Sequence, residues 1–286
     1  MAGYAPAMSL VENSFGHLLR EWRKRRRLSQ LDLALDGNIS TRHLSFMETG
    51  RAQPSRDMVL LLADQLAVPL RDRNVLLAAA GYAPVFSERR LDDPALAAAR
   101  RAVELVIQGH SPYPAIAVDR HWTLVAANDA VPQLLTGVAP DLLTSPVNVM
   151  RLALHPRGLA PRTVNFVEWR GHLLEQLRRQ VVASADPVLI ALLEEVQGYP
   201  VSSQPHPPHR PRGYSGMVVP FELLTERGLL AFFSTITVFG TPIDVTLSEL
   251  AMECFYPADA ATAEILQNAA STTGAQHCRH SADGRS

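Results

Sequence analysis

Arginine supplies nearly all of the positive charge in this 286-residue chain; Lys24 is its one lysine. A guanidinium is a planar fork of N–H donors that pairs two at a time with a guanine edge, a carboxylate or a phosphate. Three placements of such groups could do chemistry. The run Arg23-Lys24-Arg25-Arg26-Arg27 suits phosphate, but it spans more than one helical turn. One or two of these cations can face a common anion, and the rest form a solvated face. Arg42, in Thr41-Arg42-His43-Leu44-Ser45-Phe46, can give guanine a bidentate pair. Arg151 precedes His155 by one helical turn, with Asn165 further on. A charged donor beside hydrogen-bond donors suits a carboxylate, while the plainer role for each is a structural hydrogen bond or a surface pair.

Other chemistries fail on inventory. The chain has no phosphate-cradling glycine loop and no paired-cysteine metal spacing, so we expect no enzyme and no resident metal or other cofactor. His206 and His209 lie in a proline-rich stretch, and His277, Cys278 and His280 cluster near the end. Solvated loop histidines are commoner than ligands, so these suit adventitious metal only. A haem or flavin sensor would need an axial or ring partner that no feature singles out. The two cysteines, Cys254 and Cys278, are too few for a disulfide framework. No apolar run reaches the roughly 20 residues that span a bilayer, and no basic-then-apolar leader opens the chain. A reduced, cytoplasmic protein is expected. A hydrophobic content of 47% with 19% charged residues lets it bury real cores.

These groups must sit on elements. From Phe15 to Leu77 the apolar spacing is helical, with breaks that mark five short helices. Phe15, Leu18, Leu19 and Trp22 define the first. Ser29 caps a second over Gln30–Asp36, and Ser40 caps a third over Thr41–Thr49, ended by Gly50. Pro54-Ser55 opens a fourth to about Leu66, and Pro69 a fifth ending near Gly81. Residues 1–82 hold 11 Lys and Arg against 8 Asp and Glu, a net +3, whereas the remainder carries a net −4. The basic end is where an anionic partner belongs.

Residues 83–93 read as a linker, and 94–270 as a second, α+β domain. A helix over Pro94–Gln108 precedes a hairpin of Ala115–Val118 and Trp122–Ala126, and Asn128 is placed to cap a helix after it. Helices are expected at Asn148–Leu154, Asn165–Val182 and Pro187–Gln197. Met217–Leu224 and Leu229–Val238 read as a second hairpin around Thr225-Glu226-Arg227-Gly228. Asp244–Phe255 reads as a further strand, Ala258–Ala270 as a helix, and residues 271–286 as a disordered tail. An antiparallel sheet with a helical face can enclose an apolar cavity. Met150, Trp169, Leu173, Phe232 and Phe233 are candidate walls, with plain core as the simpler role. Arg151, His155 and Asn165 are the candidate anchors.

Leu28-Ser29-Gln30, Leu33-Ala34, Asn38-Ile39-Ser40, Leu44, Met47-Glu48, Gly50-Arg51 and Pro54-Ser55 follow one another in a register that resembles the XRE, or phage-repressor, helix-turn-helix family. The resemblance implies an all-α five-helix domain that binds double-stranded DNA. Leu33, Ala34, Ile39, Leu44 and Met47 would form the shared core, and Asn38 would take the left-handed turn where the family usually carries glycine. Thr41, Arg42, Ser45 and Phe46 would meet base edges from the recognition helix. Gln30, Arg51 and the backbone near Ser55 would meet phosphates.

The second domain carries Pro112-Tyr113-Pro114 through Ala127-Asn128, Asn148-Val149-Met150-Arg151, His155-Pro156, Asn165-Phe166-Val167-Glu168-Trp169 and Ser234 through Pro242. In that order these resemble the MmyB-like transcription regulators over about residues 95–265. That resemblance implies a PAS-like fold and a fatty-acid-like ligand. Cys254, where a small hydroxyl residue is more usual, and the proline-rich stretch at 205–211 depart from it. The whole reading is a homodimeric, sequence-specific regulator whose second domain senses a fatty-acid-like small molecule. The alternative is a DNA-binding protein whose second domain serves dimerisation or a protein partner without ligand.

Overall fold

The computed structural model describes residues 14–201 and 219–282, with side chains as far as Ser271. The expectations for residues 1–13, for His206 and His209, and for the side chains of His277, Cys278 and His280 lie outside the described residues. The chain divides into two compact units, Met1–Arg90 with Thr241–Ser248, and Leu91–Gly240 with Glu249–Ser286.

The first unit holds five helices of the amino-terminal segment: α1 (Phe15–Arg25), α2 (Gln30–Asp36), α3 (Thr41–Glu48), α4 (Arg56–Gln65) and α5 (Leu70–Ala79). Serine side chains start the first four. Ser14, Ser29, Ser40 and Ser55 each accept a hydrogen bond from a backbone N–H in the first turn, and Ser29 forms a full capping box with Asp32. Phe15, Leu19, Trp22, Leu33, Ala34, Leu44, Met47, Leu62 and Leu76 close into one core. Asn38 turns the chain between α2 and α3 at φ +50°, a backbone that asparagine tolerates better than most residues. Gly16 lets α1 cross the end of α3. A Cβ there would meet the carbonyl oxygens of Met47 and Glu48 at 2.6 Å.

One carboxylate binds this unit together. The Glu48 side chain is fully buried. It accepts hydrogen bonds from Arg23 Nε (2.7 Å), Arg23 Nη2 (2.9 Å) and Gln30 Nε2 (2.8 Å). Arg20 Nε lies 3.4 Å away. Three helices therefore meet at one charge. Burial pushes the Glu48 carboxyl up, but the bonds from Arg23 and Gln30 outweigh it and hold the group below its ordinary value. The cationic run is thus partly structural. Arg23 serves Glu48, and Arg26 donates to the carbonyls of Leu66 (2.8 Å) and Ala67 (3.0 Å) at the end of α4.

The segment after the sheet's longest strand also belongs to this unit. The sequence suggests a strand from Asp244, but α11 (Val245–Ser248) is a short helix. The buried Asp244 carboxylate accepts from Thr246 N at 2.9 Å and from Arg89 Nη1 at 3.1 Å, while Val245 N donates to Ser87 O at 2.8 Å. The turn bond from Thr246 and the long-range partners Arg89 and Ser87 together outcompete extension.

The second unit is built on a five-stranded antiparallel sheet in the order β2-β1-β5-β4-β3. Its strands are β1 (Ala115–Val118), β2 (Leu124–Ala127), β3 (Phe221–Thr225), β4 (Gly228–Val238) and β5 (Ala251–Pro257). Helix α6 (Ala97–Gly109) covers one face, where Val103 and Ile107 meet Ala115, Ala117, Met252 and Cys254. The other face meets α7 (Val131–Leu134), α8 (Val149–Leu154), α9 (Phe166–Ser184), α10 (Pro187–Gln197) and α12 (Ala260–Ala282) in the larger core. Side chains alternate along a strand. Ile116 and Val118 therefore join the larger core while Ala115 and Ala117 join the smaller.

Three further expectations are corrected. Trp122 is not in a strand: it sits at φ +64° in a turn that the Asp119 carboxylate holds through the N–H groups of His121 and Thr123, both at 2.8 Å. Asn128 caps no helix. It is buried, accepts from Ala115 N (3.2 Å) and donates to the carbonyls of Ile107 (3.1 Å) and Tyr113 (2.7 Å). The tail from Ser271 continues as helix, since α12 runs to Ala282.

Removing one partner of a buried ion pair costs about 3–5 kcal/mol, because the other charge is left uncompensated. Glu48→Ala should destabilise the first unit by that order in urea unfolding followed through Trp22 fluorescence. The depressed Glu48 carboxyl contributes stability that is present above its ordinary value of about 4.3 and is lost as pH falls through the lowered one. The difference between wild type and variant should therefore shrink in acid.

Candidate functional site

Two sites emerge, one in each unit. In the first, α3 places Thr41, Arg42, Ser45 and Phe46 away from the core that Leu44 and Met47 enter. Arg42 is exposed, with its guanidinium 5.2 Å from the centre of the Phe46 ring. Arg51, also exposed, lies 5.9 Å from the same ring. Phe46 is thus a platform shared by two cations, which keeps both guanidinium forks extended beside α3. Ser55 is exposed at the start of α4, and its hydroxyl accepts from Met58 N at 3.2 Å. Gln30 opens α2 with its carboxamide held by Glu48, so this polar side chain has a fixed orientation at a helix start. The arrangement presents cations, hydroxyls and a helix N-terminus from one compact bundle, the donor set that an anionic polymer requires.

In the second unit the larger core is not filled. A cavity of about 90 Å³ lies between β1, β5, α7, α8 and α9. Its walls are apolar: Ile116, Trp122, Leu124, Val131, Leu134, Met150, Leu152, Leu159, Phe221 and Phe255 are among them. Of the expected wall residues, Met150, Trp169 and Leu173 line it. Phe232 is fully buried behind the lining, packed on Phe221 and Phe255 with ring centres 6.2 and 6.1 Å apart. Phe233 points to the other face of the sheet and stacks on Tyr256 at 5.2 Å, because successive residues of a strand face opposite ways.

The three expected anchors do not line this cavity; each is engaged elsewhere. Arg151 pairs with Glu195 through Nε (2.8 Å) and Nη2 (2.7 Å), and Tyr199 Oη donates to the same carboxylate at 2.5 Å. Hydrogen bonding by Arg151 leads the effects that hold Glu195 low, while burial and Glu195 push the Tyr199 hydroxyl up to about 12. His155 packs edge-on against Tyr199 at 4.9 Å, and its Nδ1 accepts from Arg157 N at 3.0 Å. Asn165 clamps the start of β3. It donates to Pro220 O at 2.8 Å and accepts from Glu222 N at 3.2 Å.

The polar residue of the wall is one that the sequence does not advertise. Glu253 lies on β5 in the row of Ala251 and Phe255, facing the cavity. Its signal is faint. The Met252 and Cys254 row looks like the single inward face, and a strand with cores on both faces defeats that pattern. Burial pushes the Glu253 carboxyl up, and the Ser234 hydroxyl draws it only partly back. Trp169 is buried, and its indole Nε1 has no hydrogen-bond partner among the described residues.

Family models match both units. Residues 19–72 match the model described as Helix-turn-helix, and residues 99–269 match the MmyB-like transcription regulator ligand binding domain. The chain belongs to the MmyB-like transcription regulators. No curated protein matches it. The helix-turn-helix match spans α1 to the start of α5, the bundle that Glu48 organises, and marks a DNA-binding domain. The MmyB-like match spans the whole sheet and every helix that borders the cavity. Among the described residues no helix is long and apolar enough to cross a membrane.

The Arg151–Glu195 pair is half-exposed on both sides. Such pairs contribute under about 1 kcal/mol. Arg151→Ala should therefore change unfolding stability by less than that amount and leave the emission of Trp122 and Trp169, which line the cavity, in place.

Proposed function

We propose that this MmyB-like regulator binds a specific duplex sequence through α3 and senses a small amphiphile in the cavity of its second unit. The observation that supports the DNA half is the Arg42–Phe46–Arg51 platform, formed by α3 and the residues that follow it, within the stretch that matches Helix-turn-helix. In this reading Arg42 takes a guanine, Thr41, Ser45 and Phe46 meet neighbouring base edges, and Arg51, Ser55 and Gln30 fix the backbone register. Domains of this type read two half-sites about 34 Å apart, so a homodimer on a near-palindromic operator is the expected assembly.

The ligand half rests on the apolar, partly empty core of a domain whose family model is described as ligand-binding. Its walls suit the tail of a fatty-acid-like molecule. The helix-flanked antiparallel sheet is also in keeping with a PAS-like sensor. At about 90 Å³ the cavity is below the roughly 150 Å³ that accepts benzene in an engineered core. A long tail must therefore part α8 and α9, and that movement is what a ligand would do to the domain.

Two measurements test the reading. Binding to duplexes selected from random sequence, followed by fluorescence anisotropy, should weaken steeply as salt rises. Arg42→Ala should cost about 1–3 kcal/mol on the preferred site and relax choice at one base pair, whereas Gln30→Ala should weaken all duplexes alike. Binding that ignores salt and Arg42 overturns the DNA half. For the ligand, affinity should rise by about 0.8 kcal/mol per methylene and then level off when the cavity is full. Calorimetry that shows no dependence on chain length overturns the sensing half.

A further inference from the structure

The cavity tells more about a ligand's head than its tail. Among the described residues, none that lines it carries a positive charge. Glu253 sits mid-way along β5, the central strand, paired with Ile116 on β1 and Ile236 on β4. It shares the cavity wall with Trp169, whose indole N–H lacks an acceptor among the described residues. A buried donor left unpaired is uncommon and asks for an occupant. An ionised carboxylate ligand would give up its hydration in an apolar cavity with no cation on its wall, beside a carboxyl that it would hold still further from ionising. An ammonium could meet Glu253 but offers no acceptor to the Trp169 N–H, which would stay unpaired. A hydroxyl, ester or amide avoids both costs. Its oxygen can accept from Trp169, and a hydroxyl can also donate to Glu253.

We propose that the cavity takes an uncharged amphiphile, an alcohol, ester or amide on an apolar tail, with its head hydrogen-bonded by Glu253 and Trp169. This rests on the sensing role proposed above and names the class of molecule sensed. Arg151 and His155 then have no part in head-group recognition.

The test is a matched panel on the full chain at neutral pH: 1-hexanol, hexanoate and hexylamine, with the three dodecyl counterparts. Binding is read by calorimetry and by the emission of Trp122 and Trp169. At each tail length the alcohol should bind at least about tenfold more tightly than either ion. Glu253→Gln, the uncharged isostere, should keep that preference. Glu253→Leu and Trp169→Phe should each weaken alcohol binding by roughly threefold or more, the worth of one hydrogen bond. A carboxylate or amine that binds wild type as tightly as the alcohol overturns the proposal and leaves the sensing role standing. Restoration of carboxylate binding by Glu253→Gln also overturns it, since the preference would then come from charge repulsion alone and not from hydrogen bonding to an uncharged head. Failure of all six to bind overturns the sensing role itself.

Discussion

A carboxyl group drawn out of water must either meet a cation or shift towards its neutral form, and this chain contains one carboxyl of each kind. Glu48 keeps its charge because Arg23 grips it with two nitrogens and Gln30 adds a third bond. That single group fixes α1, α2 and α3 to one another, and with them the angle at which α3 leaves the bundle. Glu253 shares its cavity wall with no cation among the described residues, and burial drives it towards the neutral acid. The first arrangement makes a tightly tied helical bundle. The second makes an apolar cavity with a single carboxyl on its wall among the described residues.

The sheet explains why the cavity exists. Strand β5 is bonded on both edges, to β1 and β4, and packs on both faces. Small residues, Ala115 and Ala117, let α6 lie close on one side. On the other, aromatic rings of Phe221, Phe232 and Phe255 and the helices α8 and α9 meet over a wider gap. Asn128 and Asn165 hold the ends of strands in place through backbone bonds, so the frame is stiff while the centre of the core stays underfilled.

Much of the first unit was legible from residue type, because serine caps, the glycine at the end of α3 and the left-handed Asn38 are local signals. The Glu48 network was not, since its partners are 25 and 18 residues away in sequence. In the second unit the hairpins and the capped helices α8 and α10 could be read, as could three of the cavity walls. The anchors could not. Arg151 looked like a ligand group because Glu195 lies 44 residues further on. Asp244 looked like a strand start because its partners, Arg89 and Ser87, are distant in the chain. Glu253 carried no signal because a strand packed on both faces shows no alternation. Most of these misses are long-range partners that local pattern cannot supply; the Trp122 turn is the exception, held by the nearby Asp119.

Ligand and DNA can regulate each other only through states that hold both unequally, and the coupling must then be reciprocal. The most direct measurement is a thermodynamic square on the full chain. Duplex affinity is measured with and without saturating ligand, and ligand affinity with and without saturating duplex. The two ratios should be equal and differ from one, by a factor on the order of 5 to 100. A ratio of one on both sides, with DNA and ligand each still bound, would contradict this coupling.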